Sequence, residues 1–273
     1  MLRDDICTDA HGGQHPKALP GARIVSLVPS LTELLCDLGL SSQLVGRTGF
    51  CIHPRDAVRQ IPKVGGTKDV DLECIREIAP SHVILNIDEN TRDTADALAG
   101  FVDNLVITHP QKPDDNLGLF EDFGFIFSCE QAAKSLTERF RTAKQNLPAK
   151  GESQACDVLY LIWRDPWMTV TANTYISQML HLIGWQSVVQ DATQRYPIVE
   201  LKNFVGKVQR VLLSSEPYPF REKHIEEVRA VFGATVEVEL IDGEMLSWYG
   251  SRSIASLKYL AALAAKSPCG SAV

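Results

Sequence analysis

The feature that most constrains this chain is one amphipathic run near its middle. Beyond Ser128, the residues Ala133, Leu136, Phe140, Ala143 and Leu147 recur at intervals of three, four, three and four. That spacing keeps one face of an α-helix apolar. Ser128 followed by Gln131 reads as a capping box, and Pro148, Lys150 and Gly151 mark the end of the run. About 20 residues of helix span roughly 30 Å, near the width of a small domain. The pattern predicts a spine, and the question becomes what stands on either side of it.

Both sides carry the same grammar. On the amino-terminal side, Arg23–Pro29 is a short buried-strand pattern. Ser30 and Glu33 form a capping box ahead of Leu31, Leu34, Leu35 and Leu38, closed by Gly39. Strand patterns at 44–46, 82–87 and 104–108 then alternate with helical ones opening at Asp71 and Arg92. On the carboxyl-terminal side, strands at 157–163, 208–214 and 235–241 alternate with helices capped at Thr174, from Arg221 to Phe232, and from Ser253 to Lys266. Strands alternating with helices imply mostly parallel sheets. The predicted fold class is α/β, with two Rossmann-like lobes joined by one long backbone helix. Residues 1–21 read as a disordered lead-in, 22–127 as the first lobe, 128–148 as the helix, 149–267 as the second lobe and 268–273 as a tail.

Composition narrows the function. With 273 residues, 45% hydrophobic and 22% charged, the chain is long enough to bury a core in each lobe. A net charge of −7 argues against nucleic acid, whose binders carry a basic face. The start, Met1-Leu2-Arg3-Asp4-Asp5, is acidic and broken, with no apolar run before Ile24. It does not read as a signal peptide, and no stretch is long and apolar enough to span a membrane. The expectation is a cytoplasmic protein, or a periplasmic one if a leader is missing from this chain. Seven scattered cysteines without a C-x-x-C pair read as free thiols of a reducing compartment.

Enzyme signatures are missing: there is no G-x-S-x-G, H-E-x-x-H, phosphate loop or dinucleotide fingerprint. What stands out is the loops after strands, where open α/β sheets bind ligands. Gly49-Phe50-Cys51-Ile52-His53-Pro54 is one such loop, and Asp88-Glu89-Asn90 is another. Trp163-Arg164-Asp165-Pro166-Trp167 is a third, Ser215-Glu216-Pro217-Tyr218 a fourth, and Trp248-Tyr249-Gly250-Ser251-Arg252 a fifth. Aromatic faces with a few polar groups suit a ligand cleft. Phe50 and Trp163 fit core and cleft equally, whereas Trp167, following Pro166 in a turn, is expected to face ligand. Cys51 and His53 form a C-x-H pair that suggests a metal, with His53 its candidate ligand.

These segments together resemble a known superfamily, the helical-backbone metal receptors, which are solute-binding proteins for cobalamin and iron chelates. Arg23–Glu33 resembles the opening strand and helix, Val64-Gly65-Gly66-Thr67-Lys68 through Glu73 a second signature, and Ala79–Ile84 a strand entry. The run from Ser128 resembles the connector helix. The Gly49–Pro54, Leu161–Arg164, Ser214–Phe220 and Asp242–Arg252 segments are similar to a leaderless, cobalamin-binding-like subgroup.

The resemblance implies a non-enzymatic monomer that holds a corrinoid or other metal chelate in a cleft between two lobes and requires no cofactor. Carried over by position, it puts Phe50 and Tyr196 where cobalamin-binding members place aromatics and Trp167, Trp248 and Arg252 in loops of the opposite lobe; with the loops read above, the candidate ligand contacts also include Cys51, His53, Thr67, Lys68, Glu89, Asn90, Trp163, Arg164, Glu216 and Tyr249. It also implies docking on an ABC permease through one acid per lobe. Glu73 matches the first. At the second, Lys202 stands where an acid is expected, with Glu200 two residues earlier. The competing reading is a cytosolic corrinoid- or chelate-processing enzyme that uses Cys51, His53 and Glu216.

Overall fold

A computed structural model describes residues 6–148, 155–190 and 193–266. Its strands are β1 (Cys7–Thr8), β2 (Gln14–His15), β3 (Ile24–Ser26), β4 (Leu44–Arg47), β5 (His82–Asn86), β6 (Asn104–Thr108), β7 (Cys156–Trp163), β8 (Met168–Thr169), β9 (Trp185–Ser187), β10 (Arg210–Ser214) and β11 (Glu237–Ile241). Its helices are α1 (Pro29–Asp37), α2 (Arg55–Val58), α3 (Leu72–Ile78), α4 (Arg92–Ala99), α5 (Asp115–Ile126), α6 (Glu130–Gln145), α7 (Tyr175–His181), α8 (Glu222–Phe232), α9 (Glu244–Ser247) and α10 (Ser253–Lys266).

Among the described residues, 6–110, 114–140 and 249–252 form one unit, and 111–113, 141–248 and 253–266 a second. The division falls inside α6, between Phe140 and Arg141, not at the ends of the helix where the sequence pattern placed it. Residues 249–252 return to the first unit because their side chains bond there, as described below.

The first unit holds a four-stranded parallel sheet in the order β4-β3-β5-β6. In the second, β9-β7-β10-β11 are parallel in the same 2-1-3-4 order, with β8 antiparallel beside the end of β7. The central strands β5 and β10 are buried at every residue, as a sheet covered by helices on both faces requires. Val25, Leu27, Ile75, Val83, Leu85 and Leu98 pack the first core. Leu159, Leu161, Val211, Leu213, Val228 and Phe232 pack the second.

Three expectations are corrected. Residues 6–21 are not a disordered lead-in: β1 and β2 pair as a short hairpin. Asp9 organises it. Its carboxylate accepts the backbone N–H groups of His11, Gly13 and Ile107 at 2.9, 2.7 and 2.9 Å, and Nε2 of His15 lies 3.0 Å away. The hairpin is thereby tied to the edge strand β6. The spine helix starts at Glu130, and Ser128 takes a left-handed φ of 54° in the tight link from α5, so it cannot cap the helix in the extended geometry a cap adopts. Finally, Cys7, Cys36, Cys51, Cys74 and Cys129 are thiols outside any disulfide, but Cys156 is disulfide-bonded. Residues 1–5, 149–154, 191–192 and 267–273, the 268–273 tail among them, lie outside the described residues.

Candidate functional site

In the first unit, chain order and sheet order part between β3 and β5, the switch point where ligands bind in such sheets. The loops there are tied together by Asn90. Its Nδ2 donates to the carbonyls of Leu27 at 3.2 Å and Thr67 at 2.8 Å, while its Oδ1 accepts Asn86 N–H at 2.9 Å. Beside it, the Tyr249 hydroxyl donates to Glu89 Oε1 at 2.5 Å. Burial, with the neighbouring Glu89 charge adding to it, pushes the Tyr249 phenol well above its usual range. Arg252 forms a two-pronged pair with Glu33 of α1, at 2.7 and 3.0 Å. Asn90, Glu89, Tyr249 and Arg252 therefore have internal partners that shape the loops.

The exposed groups of this face lie after β4. Phe50 is 63% and Ile52 51% exposed. Phe50 lies against the Gly65–Asp69 turn, so that a Cβ added at Gly66 would stand 3.4 Å from its ring. Lys68 at the tip is exposed, Thr67 half-buried. Cys51 is fully buried, its Sγ 3.1 Å from the Thr48 hydroxyl, and burial pushes the thiol's pKa up. That corrects its reading as a ligand-facing or metal-binding thiol, and with it the Cys51–His53 metal pair. Among the described residues, no group of three or more His, Cys, Asp or Glu side chains is placed to hold a metal.

A cavity of about 400 Å³ opens at the other edge of this sheet, lined by Cys7–Ala10, Val106–Pro110 and the α5 residues Asp115, Leu119, Asp122 and Phe123. No sequence motif pointed to it.

In the second unit the switch point lies between β7 and β10. Glu216, just beyond β10, accepts Ser247 Oγ at 2.5 Å and Trp248 Nε1 at 2.9 Å through Oε1. Burial raises its pKa. A Cβ on Gly243 would lie 2.4 Å from Ser214 Oγ and 2.6 Å from Glu216 Cγ, so only glycine fits there. Trp248 is 8% exposed. It supports Glu216 and does not form an open wall.

The two tryptophans of the 163–167 loop part: Trp163, which the sequence left open between core and cleft, is the exposed one, and Trp167, expected to face ligand, is the packed one. Trp163 is 40% exposed and meets Tyr218 edge-on. Trp167 is half-buried, stacked on Phe220 with an interplanar angle of 3° and packed on the core. A turn carrying proline said nothing about which way each indole points. Arg164 clasps Glu227 of α8, with Nε and Nη2 contacts at 2.9 and 2.8 Å. Residues 195–199 run beside β8, where Thr169 N–H donates to the Pro197 carbonyl and Val199 N–H to that of Trp167. This leaves Tyr196 and Ile198 exposed, the latter not anticipated from sequence. Glu73 on α3, Glu200 and Lys202 are exposed as well.

With this geometry in hand, comparison with known proteins is decisive for the family. The periplasmic binding protein pattern matches residues 24–229. The chain belongs to this family. It is of the helical-backbone metal receptor type, a group of solute-binding proteins and not of enzymes. The vitamin B12-binding protein of Vibrio cholerae serotype O1 is 21% identical over 201 residues, covering 73% of this chain and 72% of that one. That of Pectobacterium carotovorum is 24% identical over 217 residues, covering 78% and 75%.

Among solved structures, a periplasmic vitamin B12 binding protein of Vibrio cholerae superposes with a TM-score of 0.77 at 17% identity, covering 90% of this chain and 97% of that one. A periplasmic heme-binding protein of Roseiflexus sp. RS-1 gives 0.75 at 19% identity, covering 91% and 99%. These similarities establish the fold. They also overturn the cytoplasmic expectation: the family and these relatives are periplasmic binding proteins, pointing to a periplasmic or otherwise extracytoplasmic location. No described helix is long and apolar enough to cross a membrane.

Proposed function

We propose that this protein captures a tetrapyrrole metal chelate, a corrinoid or haem, and presents it to an ABC permease. The observation that carries the reading is the exposure of large aromatic side chains at the carboxyl ends of the parallel strands. Phe50 (63%) stands there in the first unit and Trp163 (40%) in the second. Ile52, Tyr196 and Ile198 extend these surfaces. A soluble protein places apolar groups in water at a cost of about 25 cal/mol per Å². When such groups cluster where the fold binds ligands, a broad, partly apolar ligand explains them. The names of the relatives, vitamin B12-binding and heme-binding, agree in ligand class. Glu73 and Glu200 are exposed acids suited to basic sockets on a permease, with Lys202 as a local counter-charge.

Titration of the purified protein with cobalamin, cobinamide and ferric haem, followed by absorbance and tryptophan fluorescence, tests this. Saturable binding of at least one is expected in the micromolar range or tighter. No binding of any at tens of micromolar would overturn the reading.

A further inference from the structure

The Gly65–Asp69 turn is built more rigidly than a surface loop needs, and it carries a cation with nothing to neutralise it. Gly65 holds φ at +92°, and a Cβ there would fall 2.4 Å from the Asp69 carbonyl and 2.9 Å from Asp71 N. Gly66 N–H donates to the Asp69 carbonyl at 2.6 Å, and Gly65 bridges Val70 across the turn. From outside, Gly49 N–H donates to the Gly65 carbonyl and Asn90 Nδ2 to that of Thr67, both at 2.8 Å. The backbone on both sides of Lys68 is therefore held in place, against the carboxyl ends of β4 and β5.

Lys68 itself is exposed, and no described residue gives it an ion pair or hydrogen bond. Asp69 is adjacent and exposed, yet the two do not pair. The side chains of Arg55, Arg59 and Lys63 in the same unit are likewise exposed without such a partner; what sets Lys68 apart is the fixed turn it stands on, beside Phe50.

The geometry points to Lys68 as a specificity-determining residue that selects chelates bearing carboxylate arms over those whose arms are amides or esters. Phe50, lying on Gly66 two residues away, offers a face to the macrocycle. The ammonium of Lys68 then reaches an arm at the ring's edge. A charge-assisted bond to a carboxylate is roughly twice as strong as a bond to a neutral acceptor. The lysine acts as a flexible point charge and demands no fixed arm geometry. Because the turn is preformed, little further ordering opposes the contact. This inference deepens the proposed function and rests on it.

The test uses two matched pairs of probes. Ferric protoporphyrin IX, with carboxylate arms, is compared with its dimethyl ester. Cobyrinic acid, with carboxylate arms, is compared with cobinamide, whose arms are amides. Dissociation constants are measured for wild type, Lys68→Gln and Lys68→Arg. In whichever macrocycle class binds, wild type is expected to prefer the carboxylate member by about tenfold. Lys68→Gln should abolish the preference, Lys68→Arg should retain it, and added salt should shrink it.

A wild-type ratio near one, a preference for the neutral member, or a ratio unchanged in Lys68→Gln overturns the role of Lys68 while leaving tetrapyrrole capture intact. Failure of wild type to bind any of the four overturns the selectivity, and failure to bind cobalamin as well overturns tetrapyrrole capture itself.

Discussion

In the first unit, the carboxylate after the third strand of the sheet, Glu89, accepts the buried hydroxyl of Tyr249. In the second, the carboxylate at the same topological place, Glu216, accepts Ser247 and the indole N–H of Trp248. The strand order is the same, and a carboxylate is held at the same end of each. What differs is where each unit shows apolar surface. The first does so after its second strand, at Phe50 and Ile52, and again just after its third, at Ile87. The second does so at the end of its first strand, at Trp163, and along residues 195–198. The lesson is that the ladder fixes where a site stands, while loop packing decides which side chains form it.

The sharpest way to break the parallel is through its two tight glycines. In Gly65→Ala the new Cβ meets backbone atoms at a positive φ, which nothing nearby relieves. In Gly243→Ala it meets side chains, Ser214 and Glu216. Both should destabilise. Gly65→Ala is expected to cost about 3 kcal/mol or more and Gly243→Ala about 2 kcal/mol. Denaturant melts check this, and equal or negligible losses would mean these turns have more room than their geometry shows.

The second contrast is electrostatic. In the first unit, His82 is pushed down to about 4, by burial first and by His15 second. The Asp9 carboxyl is also lowered: burial opposes this, but His15 and three backbone N–H groups outweigh it. A depressed pKa means that the unfolded chain takes up protons the folded one does not. The His82 contribution is therefore present above pH 6.5 and is lost as the pH falls towards about 4.

The Asp9 contribution follows at lower pH, through its depressed range. Glu216 has the opposite sign. Raised by burial, it favours the folded state at low pH and loses that advantage as the pH climbs past the usual carboxylate range. Acidification from neutral should cost on the order of 2–3 kcal/mol through His82. Hydrogen exchange should show β5 and β6 losing protection while β10 holds. A His82→Leu variant should flatten the acid limb; an unchanged limb would remove His82 as its cause.

A third contrast concerns two arginines with the same forked geometry. Arg252 and Glu33 are 11% and 17% exposed, while Arg164 and Glu227 are 30% and 38% exposed. Truncating Arg252 leaves a shielded carboxylate without its cation and should cost about 2 kcal/mol. Truncating Arg164 should cost less, because water and salt already screen that pair. The two chemical-denaturation midpoints decide it, and the reverse order would contradict the burial difference.

These contrasts also show what was readable from sequence. Strands such as His82–Asn86 and helices such as Arg92–Ala99 carry their pattern in apolar spacing, and they stand where it put them. Helix α5 left no such trace. Its buried face includes Asn116 and Gly124, while Leu117 and Phe125 stand half-buried off that face, so the apolar spacing in the sequence is blurred. The amino-terminal hairpin is held by one carboxylate and its hydrogen bonds, which composition cannot register. At the proposed site, the loops stood out in the sequence because a turn has no need of paired tryptophans or of an aromatic beside a C-x-H. The orientation of the side chains within them did not. Whether Cys51 or Phe50, Trp163 or Trp167, faces solvent depends on contacts with residues far away in the chain, such as Phe220 and Ser26.

The smallest expected effect separates those two tryptophans, and it bears most directly on function. Trp163 ends its strand with much of its indole in water, so truncation removes little packing. Trp163→Ala should change stability by less than about 0.5 kcal/mol. If the exposed ring is part of the ligand surface, the same change should weaken chelate binding about tenfold, the size of one aromatic contact. Trp167→Ala should do the converse. It strips the stack on Phe220 and uncovers the core cluster that Trp167 packs against, lowering stability by about 2 kcal/mol while leaving the affinity of the folded protein nearly unchanged. Paired melts and titrations of the two variants test the assignment. Lost affinity in Trp167→Ala with retained affinity in Trp163→Ala would return the ligand surface to the residue that the turn pattern favoured.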